Sequence, residues 1–551
     1  MTRNQRRVYR ALLVLAAGAL VAFLGWWFTP AHVPRNFHGP AHAWDWLLFV
    51  ALTLVFGHRI FMDVLTWVIA WGIRNEHNPG PPAPGLKVGF LTTFVPSSEP
   101  LDLLRRTLPA MLAVDYPHDT WLLDEGNVQE VRRLCEGLGV RYFSRAGLRK
   151  YNLVAGPFTA KTKGGNHNAW YDSHGHEYDI VAQLDTDFAP RPDFLTRTLG
   201  HFADERVGFV GTPQVYGNTS ESFVARGAAQ QLYVFYGALM RGLASRGHAN
   251  MIGANHVVRV SALREVGLYA GHLTEDLLTG MRLHANGWQS RYVSEPLAIG
   301  EGPSTWQSYF NQQMRWAFGC MDILRWHSPK LLRRMPRGQG LLYLCLQQHY
   351  FAGLASALGM GLLVNYFASG VTPANVRMLD MLVWVTPLVL ARQGVTMWLA
   401  RFNRDPGRAR GLLLSGRYTA AVSWPVYLLA AVGVFRQRRL VFKVTPKGPG
   451  QPDGTPWSVA LPHLVAGLSC AACLASAAVT GRNSLPMLFW ATVNGLLMLS
   501  FVGLVALTRL RGARVTAGSL SIPGARRYTP STVLVHPYIV HDHLLRPGRA
   551  V

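Results

Sequence analysis

The sequence predicts an α/β domain inserted between transmembrane α-helices. Three observations lead to this fold class. Of the 551 residues, 49% are hydrophobic and only 15% are charged, long apolar runs lie towards both ends of the chain, and short apolar runs alternate with helix-like stretches between them. The chain is too long for one domain, and its low charge content indicates that part of it sits in lipid.

The charge balance favours a membrane surface over nucleic acid. The chain has 54 Lys and Arg against 30 Asp and Glu, a net charge of +24, which is compatible with nucleic acid, an anionic membrane or an anionic substrate. The basic residues cluster beside the first and last apolar runs, which is the positive-inside pattern of membrane proteins; they are Arg3, Arg6, Arg7, Arg10, Arg509, Arg511 and Arg514. We therefore expect lipid contact and no nucleic-acid partner.

Residues 1–74 are predicted to form two transmembrane helices. The run 11–28 carries no formal charge and ends in a Trp pair, which suits a spanning helix with an aromatic belt better than a cleaved signal peptide. The second run, 46–71, is interrupted by His58, Arg59 and Asp63. It either spans with Arg59 and Asp63 paired one turn apart, or spans and then bends along the interface.

Residues 75–335 are predicted to form a cytoplasmic domain that begins with a proline-rich linker. Short apolar runs then alternate with helix-like stretches, which is typical of an α/β sheet with crossover helices; the runs cover residues 87–95, 121–123, 140–143 and 180–184. Asp124 follows the second run, and Asp185 and Asp187 follow the fourth. Ligands of open α/β sheets bind at the carboxyl ends of the strands, so these acids are predicted to lie beside a nucleotide.

Residues 336–510 again contain long apolar runs and are predicted to form transmembrane and interface helices. Five runs are visible, at 341–367, 378–400, 418–435, 457–480 and 485–508. Because basic clusters flank 418–435 on both sides, that run is predicted to lie on the membrane without crossing it. This gives six spanning helices in a plasma membrane, with a basic cytoplasmic tail at 511–551.

Two acidic elements could bind a nucleotide donor. Asp185 and Asp187, two apart at a strand end, can share a hard divalent cation that also binds phosphates, although an isolated pair is as often a solvated turn. Asp124 could hold a base or ribose, or could be a turn acid that caps the following helix.

A third acidic element could supply a general base. Thr274, Glu275 and Asp276 precede an apolar helical pattern, with Thr274 at or near the predicted helix cap. Capping alone would explain them. The functional alternative is that Asp276 is a general base, because transfer with inversion requires the acceptor hydroxyl to lose its proton as it attacks.

A long amphipathic stretch, 306–326, carries Gln312, Gln313, Arg315 and Trp316. A period of 3.6 residues places Gln312, Arg315 and Trp316 on one face. A tryptophan there could anchor the helix at the membrane interface, or its indole could support a sugar ring while Gln and Arg bind hydroxyls and phosphate.

The order of these elements resembles family 2 processive glycosyltransferases, the group of cellulose, chitin and hyaluronan synthases. The resemblance runs from about residue 87 to residue 316. Lys163-Gly164-Gly165-Asn166 resembles the Lys-x-Gly-Asn element of this family, and Phe442-Lys443-Val444-Thr445-Pro446-Lys447-Gly448 resembles the gating loop of cellulose synthases.

The resemblance implies a GT-A-type nucleotide-diphospho-sugar transferase domain and a role for each matched residue. Donor contacts would come from Asp124, Lys163, Asp185, Arg315, Thr445 and Lys447. Mg²⁺ or Mn²⁺ would bind at Asp185 and Asp187. The catalytic element would be Thr274, Glu275 and Asp276, with Asp276 as the base, and acceptor contacts would come from Gln312, Gln313 and Trp316.

The function implied is an inverting hexosyltransferase that polymerises a UDP-sugar, UDP-glucose first among the candidates, and exports the glycan. Its partners would be a nucleotide-sugar donor, a glycan acceptor, membrane lipid and accessory export subunits. Alternatives are a non-processive transferase with a lipid-linked acceptor, a chitin- or hyaluronan-type synthase and, in another class, a transporter with a regulatory domain. The sequence departs from cellulose synthases at Asp124-Glu125-Gly126, at Gly253-Ala254-Asn255 and in having no recognisable c-di-GMP-binding domain.

Overall fold

The structure is a computed structural model that describes residues 1–37, 39–74, 79–403, 411–437 and 456–518, with side chains up to Arg509. The predicted gating loop at 442–448, with Thr445 and Lys447, lies outside the described residues, as does most of the predicted basic tail.

Two long helices open the chain, α1 (Arg3–Trp27) and α2 (Ala43–Trp71), and both are long and apolar enough to cross a membrane. The predicted ion pair within α2 is confirmed, since Arg59 Nη2 lies 3.6 Å from Asp63 Oδ1. Asp63 also pairs with Arg392, which comes from a helix more than 300 residues later in the chain. The second arginine compensates a carboxylate that would otherwise be costly inside an apolar helix.

A seven-stranded mixed sheet forms the centre of the domain that follows, with the strand order β3-β2-β1-β4-β8-β6-β9. A second, three-stranded sheet has the order β5-β10-β7. The strands are β1 (Val88–Phe94), β2 (Asp119–Asp124), β3 (Arg141–Phe143), β4 (Ile180–Leu184), β5 (Ala189–Pro190), β6 (Val207–Gly211), β7 (Val215–Tyr216), β8 (Asn255–Arg259), β9 (Gln289–Tyr292) and β10 (Ala298–Gly300). All four predicted strands are present.

The large sheet is parallel from β3 to β4 and turns antiparallel at β8, which pairs with both β4 and β6. Both of its faces are covered. Phe90 packs into one apolar cluster and its neighbour Leu91 into the opposite one, as the two-residue period of a strand requires. Burial on both faces explains why β4 is apolar on both faces except at Gln183, whose Nε2 donates to the Gly253 carbonyl at 3.0 Å.

Ten α-helices of this domain cover the sheets and lead to the membrane helices. They are α3 (Leu101–Leu112), α4 (Gln129–Leu138), α5 (Lys163–Ser173), α6 (Phe194–Leu199), α7 (Phe223–Val234), α8 (Met240–Ala244), α9 (Val260–Glu265), α10 (Glu275–Ala285), α11 (Trp306–Trp326) and α12 (Ser328–Leu331). The sequence pattern predicted α11 with these bounds.

Apolar helices follow, as predicted: α13 (Arg337–Gln347), α14 (Ala352–Ser369), α15 (Met378–Ala400), α16 (Leu414–Ala421), α17 (Trp424–Phe435), α18 (Trp457–Thr480) and α19 (Leu485–Gly518). By length and composition, seven helical stretches in the described residues could cross a membrane, where α13 with α14 and α16 with α17 each count as one stretch. The predicted α/β domain between apolar helices is therefore confirmed, while the count of six spanning helices stays a prediction.

The stretch predicted to lie on the membrane is broken into α16 and α17 and is attached to the α/β domain. α17 packs on α11 through an apolar cluster that includes Phe318 and Ala430. Arg325 Nη1 donates to the carbonyls of Val434 at 3.1 Å and Phe435 at 3.2 Å, at the carboxyl end of α17. A cation at this end also complements the helix dipole. These contacts attach α17 to the α/β domain, while its predicted position on the membrane surface stays a prediction.

The predicted topology can be tested with single cysteines at Leu412 and Gln437, in a chain with Cys345 replaced by serine. Both positions are exposed and flank α16 and α17, whereas a side chain at Gly416 would put Cβ 2.7 Å from Gln230 Cβ. We expect both cysteines to resist an impermeant thiol reagent in intact cells and to react in inverted vesicles. If one basic flank had to cross the membrane, each arginine held at the bilayer centre would cost about 2.5–3.5 kcal/mol. Labelling at Gln437 from outside would contradict this topology.

Candidate active site

The predicted acidic residues meet at one edge of the large sheet. β1 pairs in parallel with β2 and β4, so that Phe94 is opposite Asp124 and Thr92 is opposite Leu184, the residue before Asp185. Parallel strands end at the same edge, which is where ligands of such sheets bind. The structure therefore brings Asp124 and Asp185 to a common edge, as the sequence predicted.

Lys163, Asp185 and Asp276 are joined through the backbone of Gly253. Lys163, the first residue of α5, donates through Nζ to Asp185 Oδ1 and to the Gly253 carbonyl, the latter at 2.6 Å. The Gly253 N–H donates to Asp276 Oδ2 at 2.8 Å. One lysine and two carboxylates predicted from separate motifs thus form a single hydrogen-bonded group.

The glycines of this site allow the close approach of its parts. A Cβ on Gly253 would lie 2.9 Å from Asp276 Oδ2, so a larger residue would displace that carboxylate or lengthen its hydrogen bond. A Cβ on Gly165 would lie 2.1 Å from the Thr159 carbonyl oxygen. The Lys-Gly-Gly-Asn element therefore has glycine where the first turn of α5 packs on neighbouring backbone. Asn166 of the same element donates to the Leu123 carbonyl at 3.3 Å.

Asp124 is fully buried, and its carboxylate stabilises the loop after β2. Oδ1 accepts from Gly126 N–H at 2.8 Å, while Oδ2 accepts from Val128 N–H at 2.7 Å and Tyr142 O–H at 2.8 Å. Hydrogen bonds to each oxygen fix this turn directly before α4. The geometry thus matches the turn-stabilising alternative, and the nucleotide contact stays a prediction.

Glu125, which lies where the sequence departs from cellulose synthases, pairs with a fully buried arginine. Arg145 Nη2 lies 2.8 Å from Glu125 Oε1, and Arg145 Nη1 donates to the Tyr151 and Thr159 carbonyls at 3.0 Å each. A guanidinium removed from water needs a paired carboxylate and satisfied N–H groups. Sequence reasoning missed this pair, because the two residues lie in different loops.

Asp185 and Asp187 differ in exposure. The Asp185 side chain is 28% exposed, whereas Asp187 is buried and its Oδ2 accepts from the Glu301 N–H at 2.9 Å. Arg106 supports the same loop, with Nη1 bonded to Glu301 and Nη2 to the Asp187 carbonyl. Carboxylate oxygens are the ligands that Mg²⁺ and Mn²⁺ prefer, so the pair fits such a cation when phosphate oxygens complete its coordination.

The predicted helix start at Thr274 is confirmed, since α10 begins at Glu275 with Thr274 as its N-cap residue. The Thr274 side chain makes no capping hydrogen bond, so capping does not explain this element. Asp276 Oδ1 accepts from the Leu277 N–H at 2.8 Å. Burial and the adjacent Asp276 charge raise the pKa of Glu275 to about 7, while Lys163 and Arg315 act in the opposite direction.

Replacing Glu275 with glutamine is expected to remove a pH dependence of donor binding. With a pKa of about 7, Glu275 is neutral below that pH and gains a negative charge above it. An added negative charge beside the site opposes an anionic diphosphate, so the KM for the donor should rise above pH 7 in the natural protein and stay level in Glu275→Gln. Donor KM measured across this pH range in both proteins checks the expectation. Identical profiles would contradict it.

Helix α11 presents its predicted face as the sequence pattern indicated. Gln312, Arg315 and Trp316 are partly exposed, and Gln312 Nε2 lies 3.3 Å from the Tyr216 hydroxyl. Gln313 lies on the buried side, where its Oε1 accepts from Tyr427 O–H at 2.8 Å. This places Gln313 in the packing of α11 against α17, and its predicted acceptor contact stays untested.

Helix α11 also contacts Thr274, the residue before the helix that carries the predicted base. A Cβ on Gly319 would lie 2.6 Å from both Cγ2 and Oγ1 of Thr274, so only glycine allows α11 to pass this close. The face with Gln312 and Arg315 is therefore fixed relative to the start of α10.

Comparisons with known proteins identify the group of proteins that this chain resembles. Residues 180–438 match the model of the family "Glycosyl transferase family group 2". A cellulose synthase catalytic subunit [UDP-forming] of Pseudomonas fluorescens is 27% identical over 386 residues, which is 68% of this chain and 49% of that protein. Its counterpart from Xanthomonas axonopodis is 30% identical over 271 residues, 47% of this chain and 35% of that protein.

A mannosyltransferase from Pyrobaculum calidifontis, solved with GDP-Man and Mn²⁺, superposes with a TM-score of 0.46 at 14% identity, over 71% of this chain and 99% of that one. The chain spans about half the length of the first curated relatives it matches. The family match covers the strand with the Asp185 element, the α10 start and α11, and with the mixed sheet it confirms the predicted transferase fold. This chain therefore contains a glycosyltransferase domain of family group 2 and is similar to cellulose synthase catalytic subunits.

Proposed function

We propose that the chain is a membrane-integrated, inverting glycosyltransferase that polymerises a UDP-sugar, UDP-glucose first among the candidates, into a β-linked polysaccharide and passes it outward through its own helices. The observation that carries the proposal is the hydrogen-bonded group of Lys163, Gly253, Asp185 and Asp276 at the sheet edge. It puts a cationic group, a candidate metal ligand and a candidate base within reach of one donor.

The donor would bind at the carboxyl edge of β1, β2 and β4. Asp185 and Asp187 would hold Mg²⁺ or Mn²⁺, and a cation there neutralises charge that develops on the leaving diphosphate. Lys163 and Arg315 would bind diphosphate oxygens, and the loop that Asp124 stabilises would face the nucleoside. UDP is proposed as the nucleotide because the chain is similar to UDP-forming cellulose synthases.

Transfer would proceed by one displacement with inversion. The acceptor hydroxyl oxygen bonds to the anomeric carbon as the bond from that carbon to the diphosphate oxygen breaks, and the hydroxyl proton passes to Asp276. UDP leaves with the electron pair of the broken bond, and Lys163 and Arg315 stabilise its charge. The Gly253 N–H orients Asp276 Oδ2, and Thr274 and Glu275 set the start of its helix.

The acceptor glycan would lie along the exposed face of α11, over Trp316 and beside Gln312. An indole offers an apolar plane for a sugar ring, and the glutamine amide can bond hydroxyls. Gln313 would support this face through Tyr427 rather than through a sugar contact. Thr445 and Lys447, which lie outside the described residues, would close the donor side.

The domain limits follow from the same proposal. Residues 1–74 and 336–510 would carry six spanning helices in a plasma membrane, 75–335 the cytoplasmic transferase, and 511–551 a basic tail. Lipid and accessory export subunits would be the remaining partners.

The proposal is tested by supplying membrane vesicles containing the chain with a panel of radiolabelled UDP-sugars and sizing the product before and after linkage-specific hydrolases. We expect a long product from UDP-glucose that a β-glucan hydrolase digests. A long product from another UDP-sugar would indicate a chitin- or hyaluronan-type synthase. A single sugar on an extractable lipid would indicate a non-processive transferase, and no product from any donor would contradict both readings.

A further inference from the structure

Two histidines and an aspartate converge beside the start of α10, apart from the groups assigned to the donor. His272 lies in the loop before α10, Asp322 lies on α11, and His327 is the C-cap residue of α11. One ligand atom from each residue lies within 4.8 Å of the other two. Among the residues that the structure describes, this is the one group of three or more His, Cys, Asp or Glu residues with such spacing.

The distance between His272 and Asp322 in this group fits two ligands of one transition metal. His272 Nε2 and Asp322 Oδ2 are 3.1 Å apart, and two ligands with bonds of about 2.0 Å at tetrahedral angles are separated by about 3.3 Å. The rings of His272 and His327 meet edge to face with their centroids 5.7 Å apart. A hydrogen bond between His272 and Asp322 would explain why these two side chains meet. It would not explain why a ligand atom of His327 lies beside them.

The ligand types select the class of metal. Two imidazoles and one carboxylate suit Zn²⁺ and its neighbours in the first transition row, whereas Mg²⁺ prefers an all-oxygen shell. The side chains of His272 and Asp322 are 10% and 18% exposed. An ion can therefore enter from solvent, and a fourth coordination position can be filled by water.

The surroundings of His272 supply the outer partner that a metal-bound imidazole requires. Its Nδ1 lies 3.1 Å from Thr274 Oγ1. Nδ1 also accepts from the Thr274 N–H at 3.1 Å, so a metal at Nε2 requires the imidazole proton to move to Nδ1, which then donates to the Thr274 hydroxyl. The same threonine is the N-cap residue of α10 and touches α11 at Gly319.

We propose that His272, Asp322 and His327 form a binding site for a divalent transition metal of the Zn²⁺ class, which clips the loop before α10 to the carboxyl end of α11. The metal fixes the segment leading to Asp276 against the helix that carries Gln312 and Arg315. The clip is distinct from the cation at Asp185 and Asp187, and its binding of metal does not depend on which sugar the enzyme transfers.

The test uses the full chain in lipid nanodiscs, stripped of metal and then equilibrated with Zn²⁺ alone or with Co²⁺ as a spectroscopic probe. We expect about one equivalent of Zn²⁺ at this site, a Co²⁺ spectrum typical of a mixed nitrogen and oxygen shell, and a higher Tm with Zn²⁺. His272→Ala, Asp322→Asn and His327→Gln should each weaken binding by at least about 10-fold, a loss that even an outer-shell substitution can reach.

Two matched variants separate this site from others. Asp185→Asn, at the donor site, and His176→Ala, at an exposed histidine, should both keep the Zn²⁺ and its Tm increase. Circular dichroism of the metal-free proteins identifies any variant that fails to fold. The ligand variants that do fold then decide the result. Absence of Zn²⁺ binding, or binding that survives in the folded ligand variants, would overturn the proposal.

Discussion

Replacing Asp276 with asparagine is expected to lower the rate of sugar transfer by about 10²–10⁴, the usual cost of losing a general base. The asparagine can still accept the Gly253 N–H through its amide oxygen, so the site keeps its shape and donor binding should change little. Initial rates of UDP release and UDP binding, measured on the same nanodisc preparation, separate the two effects.

The matched control for this variant is Asp102→Asn. Asp102 lies on α3 with its side chain 83% exposed, and its acidic group pairs with Arg105 at the surface. An exposed pair of this kind contributes little to stability, so the control should transfer sugar at the natural rate. Natural turnover by Asp276→Asn would remove Asp276 from the role of base.

Replacing Asp185 with asparagine is expected to cost a factor on the order of 10³ in transfer, because a cation on the leaving diphosphate contributes several kcal/mol and about 1.4 kcal/mol corresponds to tenfold in rate. The substitution removes both a candidate metal ligand and the partner of Lys163. Removing divalent cations from the natural protein should abolish transfer, and adding Mg²⁺ or Mn²⁺ should restore it.

A chelator also removes a transition metal from the His272 site, so restoration is measured with Zn²⁺ held constant. Recovery that requires Mg²⁺ or Mn²⁺ in addition to Zn²⁺ assigns the requirement to the donor site. Full transfer in excess chelator would contradict a metal-dependent mechanism.

Local patterns were sufficient to predict the helices and several strands. The bounds of α11, α15, α18 and β4 match the runs in the sequence, because membrane thickness and burial on both faces demand largely apolar stretches. The carboxyl-edge placement of Asp124 and Asp185 also followed from the run of parallel strands. The antiparallel strand β8 was not predicted, because its pairing with β4 joins segments about 75 residues apart.

The chemistry of the site depended on contacts that no local pattern contains. Gly253 was noted only as a departure from cellulose synthases, whereas its carbonyl binds Lys163, 90 residues earlier, and its N–H binds Asp276, 23 residues later. The pair of Glu125 with Arg145 was missed for the same reason. The available signal for this contact was Gly253 itself, which stands between buried apolar residues. A glycine in such a place often marks a close approach of backbone to another group.

The His272 site shows the same limit at greater separation. His272 and Asp322 are 50 residues apart, and neither stands in a short His-x-x-His or Cys-x-x-Cys spacing that would indicate a metal site in the sequence. The packing of Thr274 against Gly319 helps to bring the two segments together.

The most direct test of the central claim follows one donor through the site. Nanodiscs with the purified chain are given UDP-glucose labelled in the sugar, and released UDP and labelled glycan are measured together in the natural protein, Asp276→Asn and Asp185→Asn. The account predicts one UDP for each sugar incorporated in the natural protein, and loss of both products in the two variants while Asp102→Asn retains them. UDP release and glycan formation that continue at the natural rate in both active-site variants would contradict it.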